Sequence, residues 1–142
     1  MDHVSIRQLD QMDTKKAVSV IDAAFSGHFT EGARVAFQNL DNLELFGAFY
    51  DKQMVGVVGV CPAGFLMNAY GICWISVLPE YQGQGIGGRM IQHAIDVIKN
   101  KEPSIPLMIF LAVPASKYYT KFGFELTGFT AVDGSSLMAM TV

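Results

Sequence analysis

Charge is scarce in this sequence and unevenly spread. Charged residues make up 16% of the 142, and none lies between Lys52 and Glu80. Lysine and arginine nowhere form a cluster, and the formal net charge is -3. The electrostatic footprint of a nucleic-acid partner is therefore missing. Cysteine is nearly absent too. Two of them, Cys61 and Cys73, cannot make a disulfide framework. They read as buried thiols of a protein kept in a reducing cytoplasm. The opening MDHVSIRQLD has no basic stretch leading into an apolar one, so no secretory signal is expected. An apolar run long enough to cross a bilayer is lacking as well. Gly56, Gly59, Pro62, Gly64 and Gly71 break up the uncharged segment, whereas a spanning helix needs ~20 predominantly apolar residues in a row. That segment reads as two buried strands joined by a loop, with no membrane partner. No metal site is expected.

What remains is apolar: 51% of the chain, enough for one ordered core. Residues 1–142 are expected to form a single domain. Residues 3–8 alternate and read as a short strand. Residues 14–25 put Ala17, Val18, Ile21 and Ala24 or Phe25 on one face of a helix, with Asp13 or Thr14 as N-cap. Residues 30–40 read as a weaker second helix. A hairpin follows, with strands near 43–50 and 54–61 and a turn at Asp51-Lys52-Gln53. Within it, VGVVGV is apolar on both faces, as a covered central strand requires. A strand over 71–78 precedes a helix over 84–100, whose stripe is Ile86, Met90, Ile91, Ala94, Ile95 and Ile98. The run 107–113 suits a buried strand. Pro114 suits the first position of a helix that ends at Gly123. Two more strands flank Asp133-Gly134. Strands and helices in this order predict an α+β, mixed α/β layer, not a series of βαβ units.

The stretch PEYQGQGIGGRM, residues 79–90, carries the chemistry. Gly83, Gly85 and Gly88 spell G-x-G-x-x-G, the dinucleotide fingerprint. That reading needs the first glycine directly after the strand and an acidic residue ~20 positions on, at the end of the next strand. Here Pro79 to Gln82 intervene, and Glu102 precedes the next strand. A Walker loop also fails, since no Gly-Lys-Ser/Thr occurs. A frame beginning at Gln82 fits better: strand, Gln82-x-x-Gly85-x-Gly87, then helix. Helix N-termini expose unpaired N–H groups and partial positive charge. Glycines remove the Cβ atoms that would hold a pyrophosphate away.

Val77-Leu78-Pro79-Glu80-Tyr81-Gln82-Gly83-Gln84-Gly85-Ile86-Gly87 resembles motif A of the GNAT superfamily of N-acetyltransferases. Ala115 to Phe124, with Tyr119 and Gly123 at the A-x-x-x-Y-x-x-x-G-F positions, resembles motif B. The resemblance covers residues 43–128 and the N-terminal helices by position. It implies a central mixed, largely antiparallel twisted sheet of six or seven strands flanked by about four helices. It also implies acetyl-CoA as co-substrate and direct acetyl transfer to a primary amine. Ile75, Ser76 and Val77 would hydrogen-bond the pantetheine arm and the thioester carbonyl. Gln82, Gly83, Gln84, Gly85, Ile86, Gly87, Gly88 and Arg89 would hold the pyrophosphate. Tyr119 would protonate the departing thiolate; a neutral phenol can donate.

Two positions depart from the superfamily's pattern. Ala112 stands where many relatives carry an asparagine, so no side-chain contact to the pantetheine arm is expected there. Residues 53–79 hold no Asp or Glu, so the strand glutamate that many relatives use as general base is missing. Water, an uncharged group or a residue from elsewhere must then take the proton; His28, Glu31, Asp41 and Glu44 are the candidates, each also readable as an ordinary surface residue. The missing base leaves a rival reading open, a non-catalytic acyl-CoA sensor with the same fold. The acceptor, a small molecule or a peptide amine, would sit among residues 24–45 and the 62–71 loop. Phe25, Phe29, Phe37 and Phe65 suggest an apolar lining there. The apolar tail SSLMAMTV suits either a homodimer contact or an interior strand.

Overall fold

The computed structural model describes residues 3–63, 68–114, 116–131 and 133–142. Its elements in chain order are β1 (Val4–Gln8), α1 (Thr14–Ala24), α2 (Thr30–Ala36), β2 (Glu44–Tyr50), β3 (Gln53–Pro62) and β4 (Ala69–Val77). They continue with α3 (Ile86–Lys99), β5 (Met108–Val113), α4 (Ser116–Tyr119), β6 (Glu125–Thr130) and β7 (Ser136–Thr141). The seven strands form one sheet in the order β1-β2-β3-β4-β5-β7-β6. Every neighbouring pair is antiparallel except β4 and β5, which are joined by the α3 crossover. The expected mixed sheet is the observed one.

Each face of the sheet has its own core. Met90, Ile91, Ala94, Ile95 and Ile98 of α3 pack on Val55, Val58, Val60 and Ile72, together with Ile109, Leu111, Phe124 and Met138. Ala17, Val20 and Ile21 of α1, with Ala33 and Phe37, cover Leu45, Met54 and Val57 on the other face. The residues of VGVVGV are buried because β3 carries a layer on both sides.

Several boundaries differ from the sequence expectation. The chain enters α1 through a 3-10 turn over Gln11–Asp13. Asp10 caps that turn by accepting from the Met12 N–H at 2.9 Å, and Asp13 reciprocates by accepting from the Asp10 N–H. Neither Asp13 nor Thr14 caps α1 through its side chain as expected; the paired aspartates do the work one turn earlier. The second helix stops at Ala36 instead of residue 40. Helix α3 starts at Ile86, two residues later than its period suggests. Gly85 sits at its N-cap with φ +84°, a left-handed conformation outside any right-handed helix. The segment after Pro114 is one α-turn that tightens into a 3-10 turn over Thr120–Phe122. It ends at Gly123 with φ +106°, the glycine stop expected there. The apolar tail is β7, an interior strand between β5 and β6. No helix among the described residues is long and apolar enough to cross a membrane.

Candidate active site

The site begins where the sheet splits. β4 and β5 pair only from Ala69 with Met108 to Gly71 with Phe110. Beyond that point the second half of β4 leaves β5. Trp74 adopts φ +57°, rare for a bulky residue, and the β3–β4 register shifts between Val57 and Gly59. Such irregularities bend a strand and turn its later residues. The Trp74 ring is held edge-on against Phe37 at 5.5 Å, so the α1/α2 layer fixes the bend.

A cleft of about 580 Å³ opens at this split. One wall is Ile75, Ser76 and Val77 of β4. The floor is the glycine loop, with Gln82, Gly83 and Gly85, leading into Ile86 and Gly87 of α3. Tyr118, Tyr119 and Lys121 form the opposite side, and Ala24 and Phe25 close it from the end of α1. Gly83 and Gly85 both have positive φ, +78° and +84°. Nothing lies within 4 Å of where a Cβ would stand on either, so the loop's backbone faces open space. The first N–H groups of α3 have no intrahelical partner, and Ile86 and Gly87, which carry two of them, line the cleft. Gln82 donates its side-chain amide to the Val77 carbonyl at 3.0 Å, pinning the loop to the strand end. Such an arrangement can hold an extended ligand with an anionic group at the helix end.

Tyr119 is half-buried, with its ring edge-on to Tyr118 at 5.0 Å. Burial raises its pKa above the ordinary phenol value, so the hydroxyl keeps its proton at neutral pH. Lys121 stacks 4.1 Å over the Tyr118 ring and is the basic side chain of the cleft. Tyr118 and Lys121 had no motif to announce them; only the juxtaposition of the elements around the cleft brings them here.

Nine sequence-expected residues therefore meet in one cleft: Ile75, Ser76, Val77, Gln82, Gly83, Gly85, Ile86, Gly87 and Tyr119. Three do not line it. Arg89 turns its guanidinium towards β1, where it donates to the Val4 carbonyl at 3.0 Å. Gly88 lies beneath Tyr118, whose hydroxyl would be 3.2 Å from an added Cβ. Gln84 turns back towards the Glu80 carbonyl.

None of the candidate bases borders the cleft. Glu44 is paired with Lys101, Glu31 with Arg34 at 3.1 Å, and His28 and Asp41 are exposed. Of the four phenylalanines, Phe25 borders the cleft and Phe29 packs edge-on to it at 5.0 Å. Phe37 is core, and Phe65 and Ala115 lie outside the described residues. Ser76 donates its hydroxyl to the Trp74 carbonyl at 3.3 Å, and no histidine lines the cleft to activate it. Among the described residues no three His, Cys, Asp or Glu side chains cluster as metal ligands.

Residues 41–126 match the family model described as Acetyltransferase (GNAT) domain. No curated protein matches the chain. Solved structures share the fold over nearly its whole length. A PaiA N-acetyltransferase from Thermoplasma acidophilum in complex with coenzyme A superimposes with a TM-score of 0.77 at 18% identity, covering 98% of this chain and 99% of that one. A GNAT family acetyltransferase from Brucella melitensis in complex with acetyl-CoA gives 0.73 at 24% identity, covering 99% and 88%. A GNAT family acetyltransferase from Elizabethkingia anophelis with acetyl-CoA bound gives 0.73 at 20% identity, covering 100% of both.

Proposed function

The chain belongs to the GNAT acetyltransferase family, and from that premise we propose that it transfers an acetyl group from acetyl-CoA directly to a primary amine. The observation that carries this reading is the cleft itself. A strand edge without a β5 partner, a glycine loop and a helix N-terminus follow one another along it, with a neutral tyrosine opposite.

The pyrophosphate of coenzyme A sits against Gly83, Gly85 and the first turn of α3, where main-chain N–H groups and the helix dipole favour negative charge. Lys121 adds a positive charge on the same side. The pantetheine arm takes the place that β5 vacates, pairing with the main chain of Ile75 to Val77. When the amine attacks the thioester carbonyl, charge develops on its oxygen. A fixed N–H of β4 opposes that charge, a contact worth ~10²–10³ in rate. Tyr119 then donates its proton to the departing thiolate. With no activated Ser or Cys in the cleft, transfer needs no acyl-enzyme step.

Among the described residues no carboxylate or histidine lines the cleft, so the acceptor amine is taken to lose its proton to water or to arrive neutral. That same observation supports one rival, an acyl-CoA sensor without turnover. A panel of amines, assayed for coenzyme A thiol release and for the acetylated product, separates the two. Product with any amine establishes the transferase. Tight acetyl-CoA binding with no thiol release across the panel supports the sensor.

A further inference from the structure

The two cysteines lie outside the acetyl-transfer cleft, yet the sheet has brought them together. Their sulfurs are 3.7 Å apart, one on β3 and one on β4. In the β3–β4 register Cys61 stands opposite Gly71, and Cys73 stands opposite Gly59. Each cysteine therefore faces a glycine, and the two thiols meet on the diagonal. The glycines keep that space clear. A Cβ at Gly59 would lie 3.1 Å from the Cys73 sulfur, and one at Gly71 would lie 3.4 Å from the Cys61 sulfur. The two thiols are hydrogen-bonded, and sharing that proton lowers the Cys61 pKa to about 7 while raising that of Cys73.

We propose that Cys61 and Cys73 form a thiol–disulfide exchange site that a low-molecular-weight disulfide oxidises reversibly. Solvent reaches Cys61 through a separate cleft of about 250 Å³, bordered by Leu43, Pro62, Tyr70 and Lys101. The Cys61 thiolate attacks one sulfur of the small disulfide; an S–S bond forms and the other half leaves as a thiolate that takes up a proton. The Cys73 thiol gives its proton to solvent and attacks the Cys61 sulfur of the mixed disulfide. That step expels the second small thiolate. The protein loses two hydrogens and two electrons, and the small disulfide becomes two thiols.

Bond formation requires the sulfurs to close by about 1.7 Å, from contact to the ~2.05 Å of a disulfide. The ladder can yield there, because its register already shifts between Val57 and Gly59 and Trp74 beside Cys73 is left-handed. A diagonal bridge across antiparallel strands is strained, and strained bridges are easily reduced.

The test treats the whole, native protein with glutathione disulfide, alkylates remaining thiols with iodoacetamide, and reads intact mass and peptide maps. Expected is loss of both alkylatable thiols, no retained glutathione, and a Cys61–Cys73 cross-linked peptide that dithiothreitol reverses. Cys73→Ser, lacking the resolving thiol, should retain one glutathione on Cys61. Wild-type protein that keeps both thiols alkylatable, or holds glutathione without closing the bridge, overturns the site. An unmodified Cys61 in folded Cys73→Ser overturns the assignment of Cys61 as the attacking thiol.

Discussion

The side-chain amide of Gln82 hydrogen-bonds the main-chain carbonyl of Val77 at 3.0 Å, so the first residue of the glycine loop holds on to the last residue of β4. The loop is thus tied to the strand edge, and under the proposed function the pyrophosphate and the pantetheine arm lie along the two together. Replacing Gln82 with Ala removes a bond worth ~1 kcal/mol, so acetyl-CoA affinity should fall by up to about tenfold. Calorimetric titration measures it. An unchanged affinity would show that the tether does not prepare the loop.

Gly87 separates folding from binding. Its Cβ would meet Val77 Cγ2 at 3.8 Å, an ordinary contact, so Gly87→Ala fits the fold. Alanine is a better helix residue than glycine by up to ~1 kcal/mol, and thermal stability without ligand should hold or rise. The new methyl borders the cleft, where it keeps phosphate oxygens from the N–H groups. Acetyl-CoA affinity should drop by about tenfold or more. A variant both stable and fully competent for acetyl-CoA would place the pyrophosphate elsewhere.

Tyr119→Phe tests the acid. Turnover should fall by ~10²-fold or more, because general acid catalysis contributes on that scale. Acetyl-CoA binding, carried by backbone, should stay near wild type. The pH profile adds a second check. Burial raises the Tyr119 pKa above the ordinary phenol value, and the protonated form is the working one. Activity due to Tyr119 should therefore persist to pH values above that point before it declines. Wild-type turnover in the variant, measured where chemistry is rate-limiting, would remove the role.

Asp13 ties pH to stability. It accepts from the Asp10 N–H at 2.9 Å and from Arg7 at 3.1 and 3.2 Å, and its pKa is lowered from 3.8 to about 2, chiefly by the Arg7 hydrogen bond. A lowered carboxylate pKa stabilises the fold fully above the unfolded value and ceases to do so as pH falls through the folded one. Asp13→Asn should cost up to about 1 kcal/mol at pH 7, the scale of a surface ion pair. The difference should shrink from pH 4 downwards and vanish below pH 2. Urea midpoints across that range decide it; a gap that does not narrow would mean charge is not the source.

Local signals explain why so much of the chain was legible. The α3 stripe from Ile86 to Ile98 buries as its 3.6-residue period requires, and Gly123 stops a helix as a left-handed glycine should. The glycine loop was readable because its chemistry is backbone chemistry, stated by residues in sequence. The direction of the Arg89 side chain, towards Val4, was not legible, because which side of the helix meets β1 is set by packing. Helix α1 misled because two aspartates three residues apart form their own cap first.

The sequence by itself determined most of the elements, the mixed α/β layer and the glycine loop, since hydrophobic period, turn chemistry and missing Cβ atoms act over a few neighbouring residues. The tertiary structure decided the rest. Only long-range packing sets the Trp74 ring on Phe37, bends β4 away from β5 and opens the slot that makes the glycine loop part of a cleft. The same strand register places Cys61 diagonally across from Cys73 and brings Tyr118 and Lys121 to face β4. These relations depend on how strands and helices pair across tens of residues, and no local pattern encodes that distance.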